Sequence, residues 1–296
     1  MFRLASAITS PWINRYNRDT PARREARAVV ATRLPAVVIS GASRGIGLAM
    51  TRVFLAAGNP VLMIARNQAG LDAALAQIDA HERERCFTLA LDITLPQAAH
   101  VIDDALLTHG CYLDILVNNA AIGLSGPFAT HKSAELDALV ALNIAALTHL
   151  THHALHGMLA RGSGGIISMA SLGGYVPGPH QAAYYASKAY VLSLSEALAC
   201  EVSGRGVKLC AVAPGPVGTT FHEEMHAETA PYRKILPELS PDRIARSAYR
   251  AFTLGQRVVV PGVLYRLFFI SLRVLPHPIS VPMTRWLLKN WNGPRK

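Results

Sequence analysis

The stretch Ala36-Val37-Val38-Ile39-Ser40-Gly41-Ala42-Ser43-Arg44-Gly45-Ile46-Gly47 decides the fold. Its first five residues form a short apolar, β-branched run, the pattern of a buried strand. From Leu48 onward the apolar residues take helical spacing, and Gly58 supplies the stop. Strand, glycine turn and helix in that order aim backbone N–H groups and a helix N-terminus at a phosphate. The glycines permit the tight turn and let a pyrophosphate approach the main chain. Gly41-Ala42-Ser43-Arg44-Gly45 also matches the Gly-x-Ser-x-Gly nucleophile elbow of a hydrolase. That reading needs an acid and then a His downstream, and only chain order nominates Asp92 or Asp114 with His180.

Working outward, apolar runs recur at Ala36–Ser40, Pro60–Ala65, Cys86–Leu91, Leu113–Val117, Gly165–Met169, Val207–Ala213 and Val258–Val260. Longer helical stretches separate them. Strands alternating with helices predict a parallel sheet covered on both faces, and near-continuous hydrophobic strands are what such burial requires. Ligands then gather at the carboxyl ends of the strands. The glycine turn, Asn119, Ser171 and Pro214 all follow a predicted strand.

Tyr184 and Lys188 lie four residues apart, on one face of a helix, and Ser171 precedes Tyr184 by 13 positions. A nearby ammonium favours the phenolate, so Lys188 is expected to lower the Tyr184 pKa and make a proton donor and acceptor for neutral pH. Tyr185 is the rival phenol, about 100° away around the helix. Ser168 is the rival hydroxyl.

Together these residues resemble the short-chain dehydrogenase/reductase family over about residues 35–260. Ser40-Gly41-Ala42-Ser43-Arg44-Gly45-Ile46-Gly47 is similar to the family's Thr-Gly-x-x-x-Gly-x-Gly turn, with Ser40 keeping the hydroxyl. Asn118-Asn119-Ala120-Ala121 is similar to Asn-Asn-Ala-Gly, with Ala121 in place of Gly; a positive φ there would carry a local cost. Leu142-Asn143-Ile144 and Pro214-Gly215-Pro216-Val217-Gly218-Thr219 match two further motifs. The resemblance implies one doubly wound Rossmann-type α/β domain with a parallel seven-stranded sheet at residues 35–262, behind a basic extension (1–34) and before a basic apolar segment (263–296).

It also implies a catalytic tetrad of Asn143, Ser171, Tyr184 and Lys188. Hydride would pass between NADP(H) and a carbonyl or secondary alcohol. Tyr184 would supply the proton and Ser171 would hold the oxygen. Lys188 would hold the nicotinamide ribose, and Asn143 a water that relays protons. The implied cofactor contacts are Gly41, Ser43, Arg44, Gly45, Ile46, Gly47, Arg66, Asp92, Ile93, Asn119, Ala120, Tyr184, Lys188, Pro214, Val217 and Thr219. Arg66 follows the second strand, where an acidic residue would bind a ribose 2′-OH; with Arg44 it attracts a 2′-phosphate, favouring NADP over NAD. Asp92 is expected at the adenine amino group, as a cap of the helix near Pro96, or both.

The net charge of +10 is uneven. Residues 1–34 hold seven Arg against two acids, and residues 257–296 hold seven Lys/Arg and no acid. Basic ends suit an anionic surface such as a membrane or an acidic carrier. No nucleic-acid-binding motif occurs. Met1–Ile8 lacks a long apolar core and a clear cleavage site, so a secretory signal is not expected, and it only faintly resembles a transit peptide. Leu264–Leu275 is apolar, with Arg266 and Arg273 on one side; covering the substrate cleft, packing on another subunit and lying on a membrane are its three open uses. Cys86, Cys111, Cys200 and Cys210 form no Cys-x-x-Cys pair and read as buried reduced thiols of a cytoplasmic protein. His149, His152, His153 and His156 stand at helical spacing without a neighbouring acid in sequence, so no metal site is expected. The expected partners are an apolar carbonyl substrate (fatty acyl, polyketide or steroid-like) and further copies of the chain in a dimer or tetramer. A non-catalytic NADP-binding sensor at a membrane is the alternative function.

Overall fold

The computed structural model describes residues 28, 30–225, 230–267 and 275–289. The basic extension therefore lies almost wholly outside the described residues, as do positions 268–274 of the apolar segment, Arg273 among them. The strands are β1 (Leu34–Ser40), β2 (Val61–Ala65), β3 (Cys86–Ala90), β4 (Cys111–Asn118), β5 (Gly164–Met169), β6 (Val207–Val212) and β7 (Val258–Val259). They form one parallel sheet in the order β3-β2-β1-β4-β5-β6-β7. Every expected apolar run is a strand, with ends that move by one or two residues.

The near-continuous hydrophobicity of the strands has a direct cause. Successive side chains point to opposite faces, and each face has its own core. Val37, Ile39, Val61, Met63, Val117 and Ile167 join one core, whereas Ala36, Val38, Leu62, Ile64, Leu116 and Ile166 join the other. Helices α1 (Gly45–Ala56) and α9 (Pro241–Thr253) cover the first face, with Phe54 edge-on to Tyr249 at 5.3 Å. Helices α3 (Ala98–Thr108) and α5 (Leu147–Arg161) cover the second through Ile102, Leu106, Leu150 and Met158.

Between β1 and β4 the chain order reverses, opening a crevice at the carboxyl edge of the sheet. Ser40 staples this edge. Its buried Oγ donates to Val117 O (3.3 Å) and accepts from the backbone N–H of Asn119 (3.0 Å) and Ala120 (3.1 Å). Ala121 needs no positive φ: His180, at 69°, is the only described non-glycine residue that has one. The anticipated cost at Ala121 therefore does not arise.

Two expectations are corrected. Cys200 is exposed, because it lies on the outer side of α6 (Ala182–Glu201), while the other three thiols are buried. An acid does meet the histidine face of α5: Asp103, from α3, is bonded to His153 Nε2 at 2.7 Å, across a sequence gap that hides the pairing. His152 and His156 pair with each other, Nε2 to Nε2 at 3.2 Å.

Candidate active site

The glycine turn is built by close approach. A Cβ on Gly47 would lie 2.2 Å from Gly41 O, and one on Gly41 (φ +65°) would lie 2.9 Å from Ala120 Cα. Asn119 locks the turn from the side, its Nδ2 donating to Ser40 O (2.9 Å) and Gly41 O (3.0 Å). Backbone and helix start thus come to the crevice with no Cβ at Gly41 or Gly47 in the way. A cavity of about 1000 Å³ runs along the sheet edge from Arg66, Asp92 and Ile93 past the glycine turn to Ser171, Tyr184 and Lys188. Ser43, Arg44, Ile46, Ala120, Pro214, Val217 and Thr219 also line it.

One end is cationic. Arg44, Arg52 and Arg66 line it together. Arg52, four positions into the helix after Leu48, was not singled out in sequence; an Arg at i+8 from Arg44 was the available signal. Arg52 Nη2 donates to Gln77 Oε1 (3.2 Å), and Arg44 is ion-paired with Glu224. Asp92 does not cap a helix. Its Oδ1 accepts from Thr94 N (2.9 Å) and Thr94 Oγ1 (2.7 Å), and α3 begins only at Ala98. Those bonds, with help from the Arg66 guanidinium, hold the carboxyl below its ordinary range.

The other end carries the proton chemistry. Ser171 ends the segment after β5; its Oγ accepts from Gly173 N (3.1 Å), and its hydroxyl acts on the Tyr184 phenol to lower that pKa. Lys188, one turn along α6, is buried; its Nζ donates to Met169 O (2.8 Å) and stands 5.7 Å from the centre of the Tyr184 ring. Burial lowers the Lys188 pKa to about 8. Tyr184 departs from expectation: burial pushes its pKa up, and only the neighbouring Ser171 hydroxyl works against this. In the chain alone the phenol is therefore a protonated acid, the form a reduction consumes. Tyr185 lines the same cavity, but its ring lies over Gly173 and Gly178 and packs with Ala230, Tyr232 and Leu288. Ser168 is a buried strand residue outside the cavity.

Asn143 sits in a π-helical turn (Ala141–Ala146) between α4 (Ser133–Val140) and α5. Its Oδ1 accepts from Ile122 N (2.9 Å), and its Nδ2 donates to Ile122 O (2.8 Å) and Ser187 Oγ (3.1 Å). The side chain thus fastens the loop after β4 to α6, beside Lys188. The hydrolase arrangement is not assembled: Asp92 is engaged with Thr94, and Asp114 lies within β4, opposed by Arg161.

The segment Pro214–Thr219 is held from the C-terminal side. The Tyr265 ring rests on Gly215, where an added Cβ would lie 2.3 Å from it, and its hydroxyl donates to Pro237 O. Helix α10 (His277–Leu288) covers the cleft: Thr284, Leu287 and Leu288 line the cavity, Thr284 Oγ1 donates to Pro177 O (2.9 Å), and Ile279 and Trp286 face outward. Phe221, in the one-turn helix α7 (Phe221–Glu224), lies 5.5 Å from the Tyr184 ring centre.

A family profile described as short chain dehydrogenase matches residues 35–230. The chain belongs to the short-chain dehydrogenase family. Among its relatives, a 3-oxoacyl-[acyl-carrier-protein] reductase of Synechocystis sp. is 32% identical over 68% of this chain and 80% of its own length. The ketoacyl reductase HetN of Nostoc sp. is 30% identical over 73% and 74%. A short-chain dehydrogenase of Sphingobium yanoikuyae, solved in complex with NADPH, superimposes with a TM-score of 0.70 at 28% identity, covering 81% of this chain and 92% of that one. The protein is thus a nicotinamide-dependent oxidoreductase, and the closely approached glycine turn and cationic groove fit such a dinucleotide.

The Ser40 staple gives a first test. Ser40→Ala strands two N–H donors at a buried strand end, which should destabilise by about 2 kcal/mol. Ser40→Thr, which keeps the oxygen, should stay near wild type in chemical denaturation. Equal stability of the Ala and Thr variants would remove the staple.

Proposed function

We propose that this short-chain dehydrogenase uses NADPH to reduce an apolar ketone. The observation that carries the reading is Ser171, Tyr184 and Lys188 converging at one end of the cleft, beside a largely apolar wall. Met225, Tyr232, Leu236, Leu287 and Leu288 supply that wall. In this reading Arg44, Arg52 and Arg66 hold the 2′-phosphate, Gly41–Gly47 cradle the pyrophosphate, Asp92 and Ile93 meet the adenine, and Val217 and Thr219 meet the carboxamide. A bound nicotinamide supplies the hydride.

The chain's own part is proton handling and placement. Ser171 donates to the substrate oxygen and fixes the carbonyl beside Tyr184. Tyr184 hands its proton to that oxygen as charge develops there. The remaining phenolate is stabilised by the field of the Lys188 ammonium. Asn143 keeps the Ile122 loop in register with α6, so that the three groups stay aligned.

The names of the relatives point toward ketoacyl groups, and the apolar walls agree with them. The test is NADPH oxidation across β-ketoacyl thioesters, steroid ketones and aromatic aldehydes, beside small polar carbonyls. The apolar ketones should show kcat/KM at least tenfold above the polar ones. Turnover confined to small polar carbonyls would overturn the substrate class.

A further inference from the structure

The sequence motifs leave Glu224 unassigned, yet the structure sets it against the cofactor groove. It ends α7, directly after the segment that closes the cleft, and its carboxylate is paired with Arg44. The same turn is tied down elsewhere. Glu224 N donates to Thr220 O (3.0 Å), Thr220 Oγ1 donates to Glu224 Oε1 (3.3 Å), and the next residue, Met225, packs against Gly123. Glu224 is therefore held at the groove wall rather than merely passing it.

Arg44 is the guanidinium nearest in sequence to the phosphate-binding turn. One guanidinium cannot present its paired N–H groups fully to a carboxylate and to a phosphate at once. We infer that Glu224 is an internal competitor for Arg44 that sets how strongly the enzyme discriminates NADPH from NADH. This rests on the reading of Arg44 as a 2′-phosphate ligand. A 2′-phosphate must displace the carboxylate or share the cation with it, so part of its interaction with Arg44 is lost to Glu224. A cofactor without that phosphate leaves the pair intact. Both side chains are largely exposed, so the competition is of surface-pair size, a few-fold in affinity rather than orders of magnitude.

Dissociation constants for NADPH and NADH, read from cofactor fluorescence at fixed ionic strength, test this in the wild type, Glu224→Gln, Arg44→Gln and the double variant. Gln keeps the size of Glu and its bond from Thr220 while removing the charge. Glu224→Gln should tighten NADPH by roughly two- to fivefold and leave NADH within measurement error. Arg44→Gln should weaken NADPH, and in that background Glu224→Gln should have lost its benefit. Equal affinity of the wild type for both cofactors overturns the 2′-phosphate reading and the competitor with it. A wild-type preference for NADPH that Glu224→Gln leaves unchanged overturns the competitor alone.

Discussion

Tyr184→Phe is expected to lower NADPH-dependent carbonyl reduction by about 10²–10⁴-fold, the span attributed to a positioned general acid. The substitution removes one hydroxyl. It keeps the ring that packs on Phe221 and stands beside Lys188. Cofactor affinity should therefore hold within about twofold, and the melting temperature should not fall. Tyr185→Phe is the matched control. Tyr185 shares the helix and the burial, but its ring is committed to Gly173, Gly178 and the cluster around Tyr232. Its phenol lacks the Ser171 contact that works on Tyr184. Turnover in Tyr185→Phe should stay within a few-fold of wild type. Initial rates and fluorescence titrations on the two variants decide the matter. Full turnover in Tyr184→Phe, or collapse in Tyr185→Phe alone, would reassign the proton donor.

Two physical features made the strands and the glycine turn legible in sequence. A parallel sheet buried on both faces writes itself as continuous apolar runs, and a backbone that must approach a phosphate writes itself as Gly41 and Gly47, where no Cβ fits. Tyr184, Lys188 and Ser171 were legible because two lie on one helix face and the third at a strand end. What stayed hidden depends on long-range pairing. Asp103 meets His153 across 50 positions, Asn143 clamps Ile122 across 21, and Thr284 reaches Pro177 across 107. Their partners belong to other layers of the fold, and no local pattern encodes them. The Tyr184 ionisation was misjudged for a related reason. The i, i+4 spacing reveals the ammonium, but not the burial that outweighs it, which Phe221 and other elements of the cleft create only after folding.

Lys188→Met should raise stability while abolishing catalysis, because the fold carries this ammonium at a loss. Lys188 is buried, its described hydrogen bond goes to Met169 O, and burial brings its pKa from 10.5 down to about 8. A lysine depressed in the folded state binds fewer protons there than in the unfolded chain between those two values. Stability therefore rises with pH across that window, and the penalty is fully present below pH 8. At ~1.4 kcal/mol per pH unit the gap between 10.5 and about 8 sets an upper bound of about 3.5 kcal/mol. Methionine has the same reach and no charge, but it leaves Met169 O without its donor, a loss of about 1 kcal/mol. A net gain of about 2 kcal/mol at pH 7 would lift the melting temperature by roughly 5 °C in a chain of this size. The gain should shrink as pH climbs above 8 and disappear as pH approaches the unfolded value of 10.5, above which the wild-type lysine is neutral in both states and only the lost hydrogen bond remains. Turnover should fall by at least about 10²-fold in the same variant, since Tyr184 loses the cation that stabilises its phenolate. A stabilising substitution that kills the enzyme marks a group retained for chemistry. A drop in melting temperature at pH 7 would instead make Lys188 a satisfied structural residue and reassign the field acting on Tyr184.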